Sequence, residues 1–120
     1  MAGKRILLVD DEPAIRELLS FALGEEGYVV DAAANTAEAW AQLDANTYAL
    51  AIVDWQLPDG DGMIIADGAA ELGAKSFLIS GHLLRMPGGR AEAHQTIMKP
   101  IRPSELIAAV QESIGAADAP

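Results

Sequence analysis

Four groups of side chains in this sequence are suited to chemistry, and each stands at the end of a short apolar run. Asp10, Asp11 and Glu12 follow Arg5–Val9, Asp54 follows Tyr48–Val53, Ser80 closes Ser76–Ser80, and Lys99 follows Thr96–Met98. Brought to one place, the carboxylates would repel: a pair about 4 Å apart costs roughly 4 kcal/mol at an effective dielectric of about 20. A lysine or a hard divalent cation offsets that cost. Mg2+ suits such a set, since it takes oxygen ligands from one or two carboxylates and keeps waters and a phosphate oxygen. Asp54 as a nucleophile, Lys99 as a cation to receive developing negative charge and Ser80 as a hydroxyl donor are the parts that phosphoryl transfer needs. In that reaction positioning and charge stabilisation supply nearly all the catalysis. A carboxylate nucleophile would form an aspartyl phosphate.

What brings these residues together is the order of the elements. The run Arg5–Val9 reads as a buried strand. Pro13 suits a first helical position, and Ile15, Leu18, Leu19, Ala22 and Leu23 follow at helical spacing, with Gly24 and Gly27 ending the helix. Tyr28–Ala32 is a second strand, and Asn35 with Glu38 is the capping signal of a helix to about Leu43. Tyr48–Val53 is a third strand, and Pro58, Gly60 and Gly62 mark a loop after it. A weak helix interrupted by Gly68, a fourth strand at Ser76–Ser80, a fifth at Thr96–Met98 and a last helix from Pro103 to near Gly115 complete the chain. Strands alternating with helices predict an α/β fold, a doubly wound five-stranded parallel sheet with helices on both faces. Ligands bind outside the carboxyl ends of such strands, which is where the four groups fall.

Composition narrows the function classes. A chain of 120 residues, 51% of them apolar, predicts one domain over 1–120 with a real core and no output domain. The net charge of −10 disfavours direct nucleic-acid or membrane binding, because phosphate surfaces are gripped by Lys and Arg. Nine of those ten negative charges lie in residues 1–62. The absence of cysteine excludes a disulfide framework and thiolate metal sites. No apolar run reaches the ~18–20 residues that span a bilayer, and the stretch ending at Val9 is too short for a signal-peptide core. The expectation is a cytoplasmic domain.

The motifs Leu7–Pro13 (LLVDDEP), Ile52–Gly62 (IVDWQLPDGDG), Leu78–Ser80 (LIS) and Met98–Pro100 (MKP) resemble the response-regulator receiver domain of two-component signalling. They do so in order, at the family's spacing and over essentially the whole chain. The resemblance implies a flavodoxin-like (βα)5 fold with strand order 2-1-3-4-5. It implies Asp54 as phosphoacceptor, with Asp10, Asp11, Asp54 and the Gln56 main-chain carbonyl around Mg2+. Ser80 would be the switch hydroxyl and Lys99 the phosphoryl-binding lysine. The implied donor is a phosphohistidine on a sensor histidine kinase or histidine phosphotransfer protein, and the output is changed affinity for a downstream protein, with a homodimer as a further option. Such a domain is not an enzyme beyond its own phosphorylation and dephosphorylation.

Two features depart from that family. Thr96 stands where a Tyr or Phe is common, and Leu84–Arg90, within the expected fourth helix at 83–93, contains Pro87, Gly88 and Gly89. Proline inside a helix costs about 3 kcal/mol and each glycine about 1. Together they resemble single-domain receivers with an atypical switch. The weak helical propensity beyond Ser80 predicts that residues 81–95 change order on phosphorylation. A competing reading is a receiver-like interaction module whose switch is lost. An FMN binder is disfavoured because Asp10–Glu12 would repel a phosphate in the first loop. A phosphatase with an aspartyl-phosphate intermediate is disfavoured because its nucleophile usually follows strand one.

The same residues have plainer roles. Asp10–Glu12 would favour the following helix through its dipole. Asp54 could be a loop residue, Lys99 a solvated turn residue and Ser80 an ordinary strand-end hydroxyl. Trp40 reads as helix packing, and Trp55 either as an aromatic at the site mouth or as packing under the next loop. His82 and His94 read as surface or hydrogen-bonded residues rather than acid–base groups.

Overall fold

In the computed structural model, which describes residues 4–81 and 94–116, alternate residues of the inner strands build two separate apolar layers. The elements are β1 (Arg5–Val9), α1 (Pro13–Glu25), β2 (Val29–Ala33), α2 (Thr36–Ala45), β3 (Leu50–Asp54), β4 (Gln56–Leu57), β5 (Gly60–Asp61), α3 (Gly62–Glu71), β6 (Lys75–Ser80), β7 (Gln95–Met98) and α4 (Pro103–Ile114). The main sheet has five parallel strands in the order β2-β1-β3-β6-β7, which is the expected 2-1-3-4-5 once the small β4–β5 hairpin is set apart. His82, the interrupted helix at 83–93 and most of the 81–95 switch segment lie outside the described residues.

Period-two alternation divides the core. Ile6, Leu8, Leu50, Ile52, Phe77 and Ile79 pack with Leu19 and Leu23 of α1 and Leu106 and Val110 of α4. Leu7, Val9, Ala51, Val53 and Leu78 pack with Ala39 and Leu43 of α2 and Met63, Ile65, Ala66 and Ala69 of α3. β3 is buried along its whole length, so it has no polar face. Truncating such a residue to alanine costs about 2–5 kcal/mol, which makes the central strands a rigid floor for whatever sits at their ends.

Several boundaries differ from the sequence reading. Helix α1 runs through Gly24, and the chain reverses only at Gly27, whose φ is +97°. There the N–H of Tyr28 reaches the Leu23 carbonyl and that of Gly27 the Gly24 carbonyl, a Schellman turn whose left-handed residue glycine alone adopts without cost. Helix α3 likewise continues through Gly68. A Cβ at that position would lie 2.4 Å from the Trp40 ring, so this glycine admits the indole of α2 instead of breaking α3. The loop after β3 contains a two-stranded antiparallel hairpin, Gln56 opposite Asp61 and Leu57 opposite Gly60. Strand β3 starts at Leu50 rather than Tyr48, and β2 is set one residue later than expected.

Tyr48 lies just ahead of β3, and its hydroxyl is engaged by a neighbouring strand. It donates to Asp31 Oδ2 on β2 at 2.8 Å, the same oxygen that Arg5 Nε of β1 reaches at 2.8 Å. At the same edge, where the strands start, Lys4 Nζ donates to the Ile114 carbonyl, and the Tyr28 hydroxyl donates to the Gly115 carbonyl at 2.6 Å. These contacts fasten the C-terminal end of α4 to the start of β1 and β2.

Burial, together with the bond to the Asp31 carboxylate, pushes the Tyr48 phenol up to about 12. The unfolded chain ionises a tyrosine at about 10, so the stabilisation is whole below that pH and is lost as pH rises to about 12. Denaturant midpoints measured across this window should fall with pH, and Tyr48→Phe should flatten the fall. The remaining slope belongs to Tyr28, whose phenol burial also raises, and to Lys99, whose carboxylate partners hold its ammonium above the ordinary range. An identical slope in Tyr48→Phe would remove Tyr48 from this account.

Candidate functional site

The carboxyl ends of β1, β3, β6 and β7 meet at one edge of the sheet and deliver the residues singled out above. Asp11, Glu12, Asp54, Gln56, Ser80, Gly81 and Lys99 line a cleft of about 320 Å3 there. A larger hollow of about 500 Å3 beside Ser76, Gln95 and Glu112 lies at the opposite edge and gathers no such set of acids. Asp10 lies beneath the cleft, 1% exposed, and Asp54 is 4% exposed, whereas Asp11 faces solvent. Carboxylate oxygens of Asp10, Asp11 and Asp54 all lie within 4.8 Å of one another.

Lys99 is the cation that meets this charge. Its Nζ donates to Asp54 Oδ2 at 2.8 Å and lies 3.9 Å from Asp10 Oδ2. Burial works against the ammonium, but the hydrogen bond and the charges of Asp54 and Asp10 outweigh it and hold the lysine above its ordinary pKa. For Asp10 burial dominates and raises the pKa, against the Glu12 N–H that donates to its Oδ1 at 2.9 Å and the field of Lys99. The backbone adds a further bond, since Lys99 N–H donates to the Ser80 carbonyl at 3.0 Å across β6 and β7. The Lys99–Pro100 peptide is cis. Ser80 is buried at the end of β6, 3% exposed, and its residue lines the cleft.

Among the described residues two buried side-chain oxygens lack a hydrogen bond, Ser20 Oγ on α1 and one at this site. Asp10 Oδ2 is buried with no hydrogen-bond partner. A buried acceptor left this way costs about 1–3 kcal/mol. A divalent cation held by Asp10, Asp11 and Asp54 would take up that oxygen, and an all-oxygen donor set of this kind suits Mg2+ rather than a softer metal. The acidic cluster therefore fits a metal ion.

The structure also shows parts that the sequence reading missed. Arg16, one turn into α1, donates from Nη1 to the Asp10 carbonyl at 2.7 Å and fixes the loop that carries the two aspartates. Gly62, read as a loop marker, is the first residue of α3: its N–H donates to the Trp55 carbonyl at 2.7 Å, and a Cβ would lie 1.8 Å from the Asp54 carbonyl oxygen. Glycine immediately after Asp61 was the available signal. Asp61 caps α3 by accepting the Met63 N–H at 2.8 Å. The Trp55 side chain packs against the layer under α2 and α3, which decides between its two readings in favour of packing. His94 is buried and bonded on both sides, to the Ser76 hydroxyl and, at 2.6 Å, to Asp67 Oδ1, far from the cleft.

Comparison with known proteins agrees with this geometry. Residues 6–111 match the family model of the response regulator receiver domain. The chain is 36% identical over 122 residues to the transcriptional regulatory protein AruR of Pseudomonas aeruginosa, covering 92% of this chain and 49% of that protein. It is 32% identical over 113 residues to SrrA of Staphylococcus aureus, covering 91% of this chain and 47% of that protein. The chain thus spans about half the length of these relatives. Among solved structures, a receiver domain protein of Methanospirillum hungatei superposes with a TM-score of 0.81 at 32% identity, covering 92% of this chain and 93% of that one. The response regulator TrrA of Thermotoga maritima, solved in complex with Mg2+ and BeF, gives 0.80 at 35% identity, covering 91% and 97%.

A metal that binds only the folded state stabilises it by RT ln(1 + [L]/Kd), about 2.7 kcal/mol at a hundredfold excess over Kd. For a chain of this size that raises Tm on the order of 10 °C. Calorimetric scans with Mg2+ should show the rise, and Asp11→Asn should lose most of it without lowering the metal-free Tm. A Tm indifferent to millimolar Mg2+ would show that the acidic cluster holds no metal. Gly62→Ala should lower metal-free stability by several kcal/mol, because the Asp54 carbonyl lies where the new methyl must go. A wild-type denaturation midpoint for Gly62→Ala would contradict that close approach.

Proposed function

The chain belongs to the response regulator receiver domain family of two-component systems, and from that premise we propose that Asp54 accepts a phosphoryl group from a phosphohistidine donor. The observation that carries this reading is the pairing of Lys99 Nζ with Asp54 Oδ2 at 2.8 Å beside two further aspartates. A second carboxylate oxygen on Asp54, only weakly engaged by the Gln56 N–H at 3.3 Å, is left to act as the nucleophile.

In the forward step an Asp54 oxygen forms the new O–P bond while the P–N bond to the donor imidazole breaks, its electron pair returning to the ring nitrogen. Lys99 follows the growing charge on the phosphoryl oxygens, and Ser80 supplies a hydroxyl to the same group. Asp10, Asp11, Asp54 and the Gln56 carbonyl would hold Mg2+, which neutralises the phosphoryl charge when bound. Support for that metal comes from the unpartnered Asp10 oxygen and from the Mg2+ complex of TrrA. In dephosphorylation water attacks the same phosphorus while the Asp54 O–P bond breaks, which restores the carboxylate and releases inorganic phosphate; the domain turns over only on itself and is not otherwise an enzyme.

The proposed donor is a sensor histidine kinase or a histidine phosphotransfer protein, and the proposed output is changed affinity for a downstream protein, with dimerisation as one form it takes. The setting for this exchange is the cytoplasm. Thr96, exposed on β7 in place of an aromatic, favours a second reading in which partner binding ignores phosphorylation. Intact mass after treatment with acetyl phosphate separates the outcomes. Wild type should gain one phosphate with Mg2+ and none with EDTA, and Asp54→Asn should gain none. An equal gain in Asp54→Asn would refute the acceptor, and phosphorylation without any change in partner affinity would select the second reading.

A further inference from the structure

The helix that follows β2 begins with an arrangement that its own sequence does not supply. Of the first N–H groups of α2, the local cap Asn35 takes only that of Glu38, at 2.8 Å. Those of Thr36 and Ala37 donate instead to the two carboxylate oxygens of Asp59, at 2.8 and 3.2 Å. Asp59 belongs to the turn between β4 and β5. The tip of that hairpin also sits close on the helix, since a Cβ at Gly60 would be 3.4 Å from Thr36 Cγ2.

A helix start can be capped by its own residues, so a carboxylate arriving from another element does more than satisfy donors. Here it ties the hairpin to a helix packed on the sheet. The other end of the hairpin is closed by the Gly62 N–H on the Trp55 carbonyl and by Asp61 capping α3. Between these anchors lies Gln56, opposite Asp61 in the hairpin register and two residues from Asp54. We infer that Asp59 is a positioning residue for the phosphorylation site: by clamping the hairpin tip onto the start of α2 it fixes the place of Gln56, a residue of the cleft lining whose main-chain carbonyl would help to hold the metal.

The carboxylate is well suited to the task. The Thr36 N–H, foremost among its partners, holds the Asp59 carboxyl below the ordinary range, so the clamp is charged throughout the neutral region. Metal ligands depend on the groups that orient them, and loss of such a group commonly weakens a metal site by about 10–100-fold. The Gln56 carbonyl is otherwise placed by the pairing with Asp61 and a long bond from its own N–H to Asp54, both at the base of the hairpin, so the Asp59 clamp is what holds the tip.

The inference rests on the reading of Asp54 as a Mg2+-dependent phosphoacceptor, and its test is a Mg2+ titration by calorimetry on the full chain without any phosphodonor. Asp59→Ala should weaken Mg2+ binding about tenfold, and Asp59→Asn, which keeps one acceptor oxygen, should recover part of that loss. Asn35→Ala is the control, because it removes a cap from the same helix without touching the hairpin. Both alanine variants should lower Tm, but only Asp59→Ala should change the Mg2+ Kd. Amide exchange should report the same split, with Gln56 and Leu57 losing protection in Asp59→Ala alone. If Asp59→Ala binds Mg2+ as tightly as wild type, or if Asn35→Ala weakens binding equally, the positioning role is wrong while the phosphoacceptor reading stands. A wild type that binds no Mg2+ would overturn that reading, and the inference with it.

Discussion

Three carboxylates held within 4.8 Å of one another are an electrostatic load that the rest of this molecule is arranged to carry. The load cannot relax by separation, because Asp10 and Asp54 extend from β1 and β3, and those strands are locked in register from Ile6–Leu50 to Val9–Val53. Nor can it relax into water, since both groups are almost wholly buried. It is met by positive charge, from a bound cation or from another strand end. Lys99, carried on β7 two positions away in the sheet from β3, supplies that charge across the width of the edge.

That arrangement explains the division of labour in the fold. The two apolar layers make the centre of the sheet stiff, so the strand ends are placed by packing and not by their own preferences. The polar bonds outside those layers then set individual side chains. Arg16 holds the Asp10 loop, and Gly62 allows α3 to approach the Asp54 carbonyl. A buried charge cluster costs stability unless compensated, and a site that will trade one cation for another ligand has to be built where the surrounding structure absorbs the difference.

Much of this was legible in the residues. Short apolar runs alternating with helical patterns, and followed by acids, a serine and a lysine, were enough to predict the parallel sheet and the edge at which its chemistry gathers, because crossover geometry leaves few other arrangements. What escaped the sequence depends on partners distant in the chain. Gly68 reads as a helix breaker until Trp40 is seen lying against it. Tyr48 reads as one more apolar strand residue, and nothing local says that its hydroxyl is tied to Asp31, 17 residues back. Pro58-Asp59-Gly60 reads as a loop, and nothing local says that its carboxylate caps a helix lying 22 and 23 residues back. His94 was read as surface or hydrogen-bonded, and burial between Ser76 and Asp67 selects the second.

The fastening of the last helix at its far end has a mechanical meaning. Lys4 and Tyr28 hold the carbonyls of Ile114 and Gly115, while the first turn of α4 follows shortly after Lys99 and shares Leu106 with the layer beneath β6. Leu106 and Val110 also seat the helix on that layer, so α4 is held by packing along its length and by polar bonds at its C-terminal end. The edge of the sheet opposite the acidic cluster is thereby closed by main-chain acceptors, and the charged edge is left as the open one.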